Sequence, residues 1–556
     1  MGWAAIYCTF VFAAGVLLMP TGAFWLPDHG AKFLELLHLS FSGAHLDARL
    51  DYPAAILDPA HRLFQFWSVG TEPDGQLRSW YPLSFPLLSW APFQLFGLRG
   101  LLILPALGGL ACAWLCSLIA EQSRPGRGWV AFTITALATP VFFYSQLFWE
   151  HTPALALCLG GILLVQRQSL FAKVGGLLLA ASAGLLRPEL LVVAGCCLVW
   201  VTFVSVDESR RHRWTKIGLF LCGTVGGASV AWFSSYRPAL TAAATITGGQ
   251  LWRELTSAGF FRVGADLWER LGALLYNSSG SRAVVWAPGA AVTIAAVILA
   301  VAAGLVRTPW HGRLLLAATA CLLPVSLTSA IAGEPPGAVH GLVLGGPMLL
   351  VSIAAIARWR SFPKTGLTAA AMVTSFVFLI AFLAFGTAGG REWGPRGALV
   401  IYALAAVVAA VSIEIPRDWW KSPSTAATAM LLALSLLTQV RGLSVVRADL
   451  AVFSGWTNVL SNMPSQTMMT DMWWLMPTIA PAYEHQRFVY FDPDANSADS
   501  LAYLRSQPAF ATEPAAWVTA CPDRCSLPDW LSASFVIVRE DRVPGLWVAQ
   551  LQARKD

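Results

Sequence analysis

Asp28 directly follows the first apolar run of the chain, in Phe24-Trp-Leu-Pro-Asp-His-Gly30. A carboxylate at a lipid–water boundary can take a proton from a bound hydroxyl held within hydrogen-bond reach. The same residue type also caps helices. Glu150 and His151 end a later apolar run, in Tyr144-Ser-Gln-Leu-Phe-Trp-Glu-His-Thr-Pro153. A carboxylate beside an imidazole can orient a phosphate, shuttle a proton or join a metal site; the bland alternative is a helix-end charge. Arg187-Pro-Glu189 marks another turn. There a planar guanidinium suits a phosphate, and an Arg–Glu pair would tie two helices together. Arg396, beside the turn that begins at Gly389, is a further cation, and Glu334 and His340 complete the set. Each is a weak signal by itself; the elements that carry them give the set its meaning.

Those elements are apolar. Of 556 residues, 56% are hydrophobic and only 12% charged, which excludes an ordinary soluble protein of this length. Runs long enough to cross a hydrocarbon core number about thirteen. They are expected at 3–25, 98–120, 129–148, 152–166, 174–187, 190–206, 217–234, 284–306, 314–332, 339–357, 366–386, 397–414 and 424–441. With the N-terminus inside, the even-numbered runs lead into 123–128, 166–173, 207–216, 307–313, 358–364 and 417–421. Every one of these loops is short and holds at least two Lys or Arg, the cytoplasmic pattern. The net charge of +6 is therefore explained by membrane sidedness, and no nucleic-acid partner is expected. All the chemistry-bearing residues above fall on the opposite side. Charged groups at helix ends are costly beside lipid, so their gathering marks a functional face.

The first outer loop, 26–97, is far longer than an ordinary connection. Phe33, Leu36, Leu37 and Phe41 recur at helical spacing with Lys32, Glu35 and His38 on another face, which predicts an amphipathic helix lying in the membrane interface. Further on, Pro82, Pro86 and Pro92 interrupt an apolar stretch that starts at Tyr81, which predicts a re-entrant or interfacial segment. The middle outer loop, 235–283, carries a second amphipathic stretch at 251–275. Beyond the last helix, strands are expected at 466–471, 487–492, 515–520 and 535–539, with helices at 498–507 and 527–533, an alternation that reads as a small α/β domain. No glycine-rich phosphate turn follows these strands, which argues against nucleotide binding. Eight of the ten cysteines lie in apolar runs as small hydrophobes, whereas Cys521 and Cys525 lie in the polar tail, where an oxidising compartment permits a disulfide.

The acid after the first helix and the long first loop with its outer-face Tyr-Pro segment resemble those of the GT-C superfamily, the integral membrane glycosyltransferases that use sugars carried on polyprenyl phosphate. The run from Ala138 to His151, the Arg187-Pro-Glu189 turn and the Gly-Pro-Arg396 near the last helices resemble that superfamily too. This resemblance covers nearly all of the membrane part, through about residue 440. It implies Asp28 as catalytic base, and Glu150, His151, Arg187, Glu189, His340 and Arg396 around the donor phosphate or sugar. Tyr81 and Pro82 would stand in the wall of a lipid groove. Relatives often have a second acid after the first-loop Asp, where this chain has His29, and metal-using relatives have an acid pair where it has Glu150-His151. No metal ligands and no cofactor are expected; a divalent metal is not favoured.

The sequence thus reads as an α-helical polytopic membrane protein. It has about thirteen transmembrane helices, interfacial helices in the first outer loop and a small C-terminal extracytoplasmic α/β domain, with 1–441 as membrane domain and 442–556 as tail. The expected function is inverting transfer of a sugar from a polyprenyl-phosphate donor to a glycan, lipid or protein hydroxyl, at the outer face of the plasma (inner) membrane. A lipid-linked saccharide flippase would favour repeats and midplane polar residues. An O-antigen-ligase-like or polymerase-like transferase would place its basic site on a large late loop. A non-enzymatic envelope scaffold is the third alternative.

Overall fold

The structure, a computed structural model, describes residues 2–187, 190–195, 288–332, 341–375, 396–414 and 422–554, less a few short stretches within these blocks. The expected helices at 190–206 and 217–234, and the middle loop with its amphipathic stretch, lie outside the described residues or nearly so.

In chain order the helices are α1 (Gly2–Leu18), α2 (Pro27–Phe41), α3 (Ser84–Phe96), α4 (Ile103–Ser123), α5 (Gly128–Leu137), α6 (Pro140–Tyr144), α7 (His151–Val165) and α8 (Leu170–Leu186). There follow α9 (Pro288–Leu305), α10 (Trp310–Ala332), α11 (Leu342–Gly345), α12 (Leu349–Ala357), α13 (Leu399–Ser412) and α14 (Pro423–Ser461). The tail adds α15 (Leu475–Thr478), α16 (Ser497–Arg505), α17 (Pro508–Thr512) and α18 (Asp529–Ser532). Among the described residues, three segments are long and apolar enough to cross a membrane: Ser84–Ser123, Trp310–Thr328 and Pro423–Ser461. Six further apolar helices have 10–17 residues.

The chain forms two compact units. The larger comprises 1–18, 101–233 and 241–445. In it α4, α5, α7, α12 and α13 pack on one another, and small residues let the backbones approach. A Cβ at Gly108 of α4 would stand 2.7 Å from the Thr152 carbonyl carbon of α7, and one at Gly161 would stand 2.7 Å from the Gly176 carbonyl oxygen of α8. Such close crossings are how apolar helices gain packing where lipid offers no hydrophobic drive. Outward faces are apolar instead of polar: Trp3, Phe10, Phe171, Leu178 and Ile298 are all exposed. A surface of that kind needs a hydrocarbon covering.

The second unit comprises 19–100, 234–240 and 446–556. Its five-stranded sheet has β4 (Thr467–Thr470), β5 (Arg487–Tyr490), β6 (Ala515–Thr519), β7 (Phe535–Val543) and β8 (Leu546–Ala553) in the order β5-β4-β6-β8-β7. The first three run parallel, with α16 and α17 between β5 and β6, and the last two are antiparallel. A three-stranded antiparallel sheet, β1 (Arg49–Leu50), β2 (Val69–Thr71) and β3 (Leu77–Ser79), belongs to the first loop. That loop is bonded into the tail. Tyr490 N–H donates to the Leu63 carbonyl at 2.9 Å, Phe24 N–H to the Thr478 carbonyl at 2.7 Å, and the Trp25 indole to Asp449 at 3.0 Å.

Several expectations need correction. Helix α2 has no solvated polar face: it is buried nearly all round, Lys32 and Glu35 included, by α3, α15 and the strands β1 and β3. Helical periodicity reports an apolar stripe but says nothing of what covers the opposite face. The proline-rich stretch after Pro82, expected as a re-entrant or interfacial segment, takes a helical form without contradicting that expectation, because Pro86 falls in the first turn of α3, where its missing N–H costs nothing, and only Pro92 is interior. The run at 129–148 is broken at Thr139-Pro140, and that at 339–357 after Gly345. Helix α14 continues to Ser461, about twenty residues past the expected end, because its later part turns from lipid-like to amphipathic composition without a breaker. Strand β8 has no counterpart among the expected strands.

Candidate functional site

Two constellations carry the candidate residues, one in each unit. In the second unit, Pro27 opens α2 and places Asp28 in its first turn, inside the helix. Asp28 is 6% exposed and His29 is buried with it. Asp28, Lys32 and Glu35 stand at i, i+4 and i+7, so they share one face of a buried helix, with the acid N-terminal to the base in the favourable order. The Lys32 ammonium lies 4.5 Å from the centre of the Tyr81 ring, a cation–π contact away from water. Burying a charge is costly unless an opposite charge or a hydrogen bond accompanies it, and Asp28 and Glu35 share the helix face of the lysine. At Gly30 the helix backs onto the Pro477 carbonyl so closely that a Cβ would collide with it. The tail thereby positions Asp28.

In the larger unit, the run 138–151 turns sharply. The Thr139 hydroxyl caps α6 by accepting from Val141 N–H at 3.2 Å, and Pro140 takes the first helical position. The chain then reaches Glu150 and His151 at the start of α7. His151 is buried, stacked on Tyr144 (centroids 5.6 Å, 15°) and edge-on to Trp149 (4.7 Å, 72°). Its Nδ1 is 3.9 Å from Glu150 Oε1. Arg187 terminates α8 in extended conformation (φ −148, ψ 96), as expected of a residue before proline. Leaving the helix there lets its Nη1 donate to Glu150 Oε1 at 3.3 Å. Glu150 is 3% exposed and Arg187 24%, so the pair is a largely buried carboxylate held by a guanidinium with one edge towards solvent. A guanidinium has five N–H donors in a fixed fork, which allows a second anion to be bound beside the first. Glu150 and His151 supply at most two ligands to a metal; among the described residues no third His, Cys, Asp or Glu joins them.

The structure thus brings Glu150, His151 and Arg187 together, with an ion pair between Arg187 and Glu150. Glu189, Glu334 and His340 lie outside the described residues, and of Arg396 only the backbone is described, where it opens a 3-10 turn. Sequence reading missed Lys32 and Glu35 as site residues and assigned them to a solvated face. The available signal was their spacing of four and seven from Asp28. It also missed Tyr144 and Trp149 as the walls around His151. Cys525 is disulfide-bonded, while Cys521 lies outside the described residues.

No protein-family model and no curated protein matches the chain. Among solved structures it is similar to ArnT from Cupriavidus metallidurans bound to undecaprenyl phosphate, with 13% identity, a TM-score of 0.46, and 99% of this chain and 98% of that one covered. The apo state of the same ArnT gives 14% identity and 0.44 over the same shares. The apo oligosaccharyltransferase from Archaeoglobus fulgidus gives 13% identity and 0.42, covering 92% of this chain and 69% of that one.

Proposed function

We propose that this protein is an integral membrane glycosyltransferase that moves a sugar from a polyprenyl-phosphate donor to an acceptor hydroxyl of the cell envelope. The observation that carries the reading is the buried line of Asp28, Lys32 and Glu35 on α2, with Tyr81 against Lys32. A carboxylate on the same buried helix face as a lysine is equipped to take the proton of a bound hydroxyl.

In this reading Asp28 takes the proton of the acceptor hydroxyl as its oxygen attacks the anomeric carbon. The bond to the lipid phosphate breaks on the opposite side of that carbon, so configuration inverts, and the phosphate leaves as an anion. Arg187, oriented by Glu150, is assigned to the phosphate, with His151 and Arg396 supporting it; preorganised donors aimed at developing charge are the largest catalytic term in most enzymes. Glu150 is read as orienting Arg187 instead of holding a metal, because its carboxylate is engaged by the guanidinium. The reaction is assigned to the outer face of the plasma membrane, on the strength of the short basic loops.

The test is Asp28→Asn, assayed with a lipid-linked sugar donor. The amide is nearly isosteric, so donor binding is expected to persist while transfer falls by about 10²–10⁴, the usual worth of a general base. Transfer at the wild-type rate would overturn the assignment.

A further inference from the structure

The larger unit holds an open cavity of about 430 Å³ that takes no part in the chemistry proposed above. Helix α4 separates the two places. At its N-terminal end the Pro105 carbonyl accepts from the Thr152 hydroxyl at 2.8 Å, next to Glu150 and His151. Ser123 at its C-terminal end lines the cavity. Twenty-one residues of α-helix span about 30 Å.

The cavity's wall draws on the short basic loops. Arg124 comes from 123–128, His311 from 307–313 and Arg358 from 358–364, while Glu414 and Ser424 flank 417–421. These loops were grouped on one side by charge alone, and the fold brings their residues to one hollow. Arg124 donates from Nη1 to the Val411 carbonyl at the end of α13, at 2.8 Å. That bond satisfies a helix-end carbonyl and fixes the direction of the guanidinium. Leu315, Val351 and Ala354 make part of the wall apolar.

We propose that this cavity binds a phosphate ester, with Arg124 and Arg358 on the phosphate and the apolar wall against the organic part. Two guanidiniums match phosphate geometry through their planar forks. Size argues against a bare anion: at about 30 Å³ per water, the space is many times that of one small ion. It falls within the ordinary range for a small-molecule site. The mixed wall suits a charged head with a less polar body, which either a membrane lipid headgroup or a soluble phosphate ester provides.

Binding to the purified full-length protein in detergent tests this with two probes, glycerol 3-phosphate for a soluble source and dihexanoylphosphatidic acid for a lipid one. At least one should bind the wild type. Arg358→Gln should raise its Kd at least about tenfold, the loss expected when a charged partner is removed. Thr428→Trp keeps every charge but fills the space from α14, and should weaken binding similarly. It stands in if Arg358→Gln fails to fold. The bound probe identifies the source. Absence of binding by both probes, or unchanged affinity in both variants, overturns the proposal. Neither variant touches Asp28 or Arg187, so the transfer assay is expected to stay at wild-type rate with either, and a failure of the transferase reading would be seen separately.

Discussion

Arg187→Ala removes a guanidinium from beside a carboxylate that is 3% exposed, across a contact of 3.3 Å. At an effective dielectric of about 20, two unit charges at that distance attract by about 5 kcal/mol. Partial exposure of Arg187 screens this, and desolvation of both groups offsets part of it, so the net worth of the pair is smaller. Breaking such a pair from one side is nevertheless expensive, about 3–5 kcal/mol, because the remaining charge is left buried. The lower end is expected here, about 3 kcal/mol. Glu150→Gln/Arg187→Ala removes both charges and should recover at least half of that loss. Denaturant unfolding in mild detergent, followed by tryptophan fluorescence, measures all four members of the cycle. A loss under about 0.5 kcal/mol in Arg187→Ala, the range of an ordinary surface change, would refute the reasoning. So would a double variant no more stable than the single one. The double variant also separates roles: it should be folded yet weak in donor binding, since the cation assigned to the phosphate is gone.

Other outcomes follow from close packing and burial elsewhere in the chain. Gly30→Ala should destabilise by about 1–3 kcal/mol through overpacking against Pro477, whereas Gly175→Ala in α8, whose Cβ would meet open space, should be neutral or stabilising by up to about 1 kcal/mol; equal effects in unfolding would remove the close approach. Asp58 is fully buried and accepts from Arg62 N–H at 2.8 Å, Leu63 N–H at 2.7 Å and the hydroxyls of Tyr52 at 3.2 Å and Tyr503 at 3.1 Å. Asp58→Ala should cost about 3 kcal/mol or more, since each orphaned buried donor is worth about 1–3, and proteolysis within 49–79 should speed up alongside. Burial first, then the Asp58 charge, holds the Tyr52 hydroxyl well above its ordinary range, and burial does the same for Tyr483. The folded state therefore keeps protons that the unfolded chain gives up, and stability falls as pH rises above about 10. Tyr52→Phe should flatten that alkaline limb in melting measured from pH 8 to 11, and an unchanged slope would count against it.

Local pattern is legible in a chain because it needs no partner. Apolar length announced the helices around 151–165, 170–186 and 399–412, and alternation with turn residues announced the strands at 467–470, 487–490 and 515–519. Loop charge grouped residues that the fold then brings to one cavity, since a basic residue is excluded from lipid wherever its helix happens to pack. Asp28, Glu150, His151 and Arg187 stood out for the same reason, as charges at the ends of apolar runs. What covers a helix is a different matter. Nothing local distinguishes an amphipathic helix that floats at an interface from one whose polar stripe is sealed in by Tyr81, and so Lys32 and Glu35 were read as wet. Nor does spacing reveal that Arg187 pairs with an acid 37 positions back, or that Tyr503 reaches Asp58 across 445 positions. Those pairings are decided by which backbones pack together, and only the tertiary structure, by weighing every burial against every other, selects them.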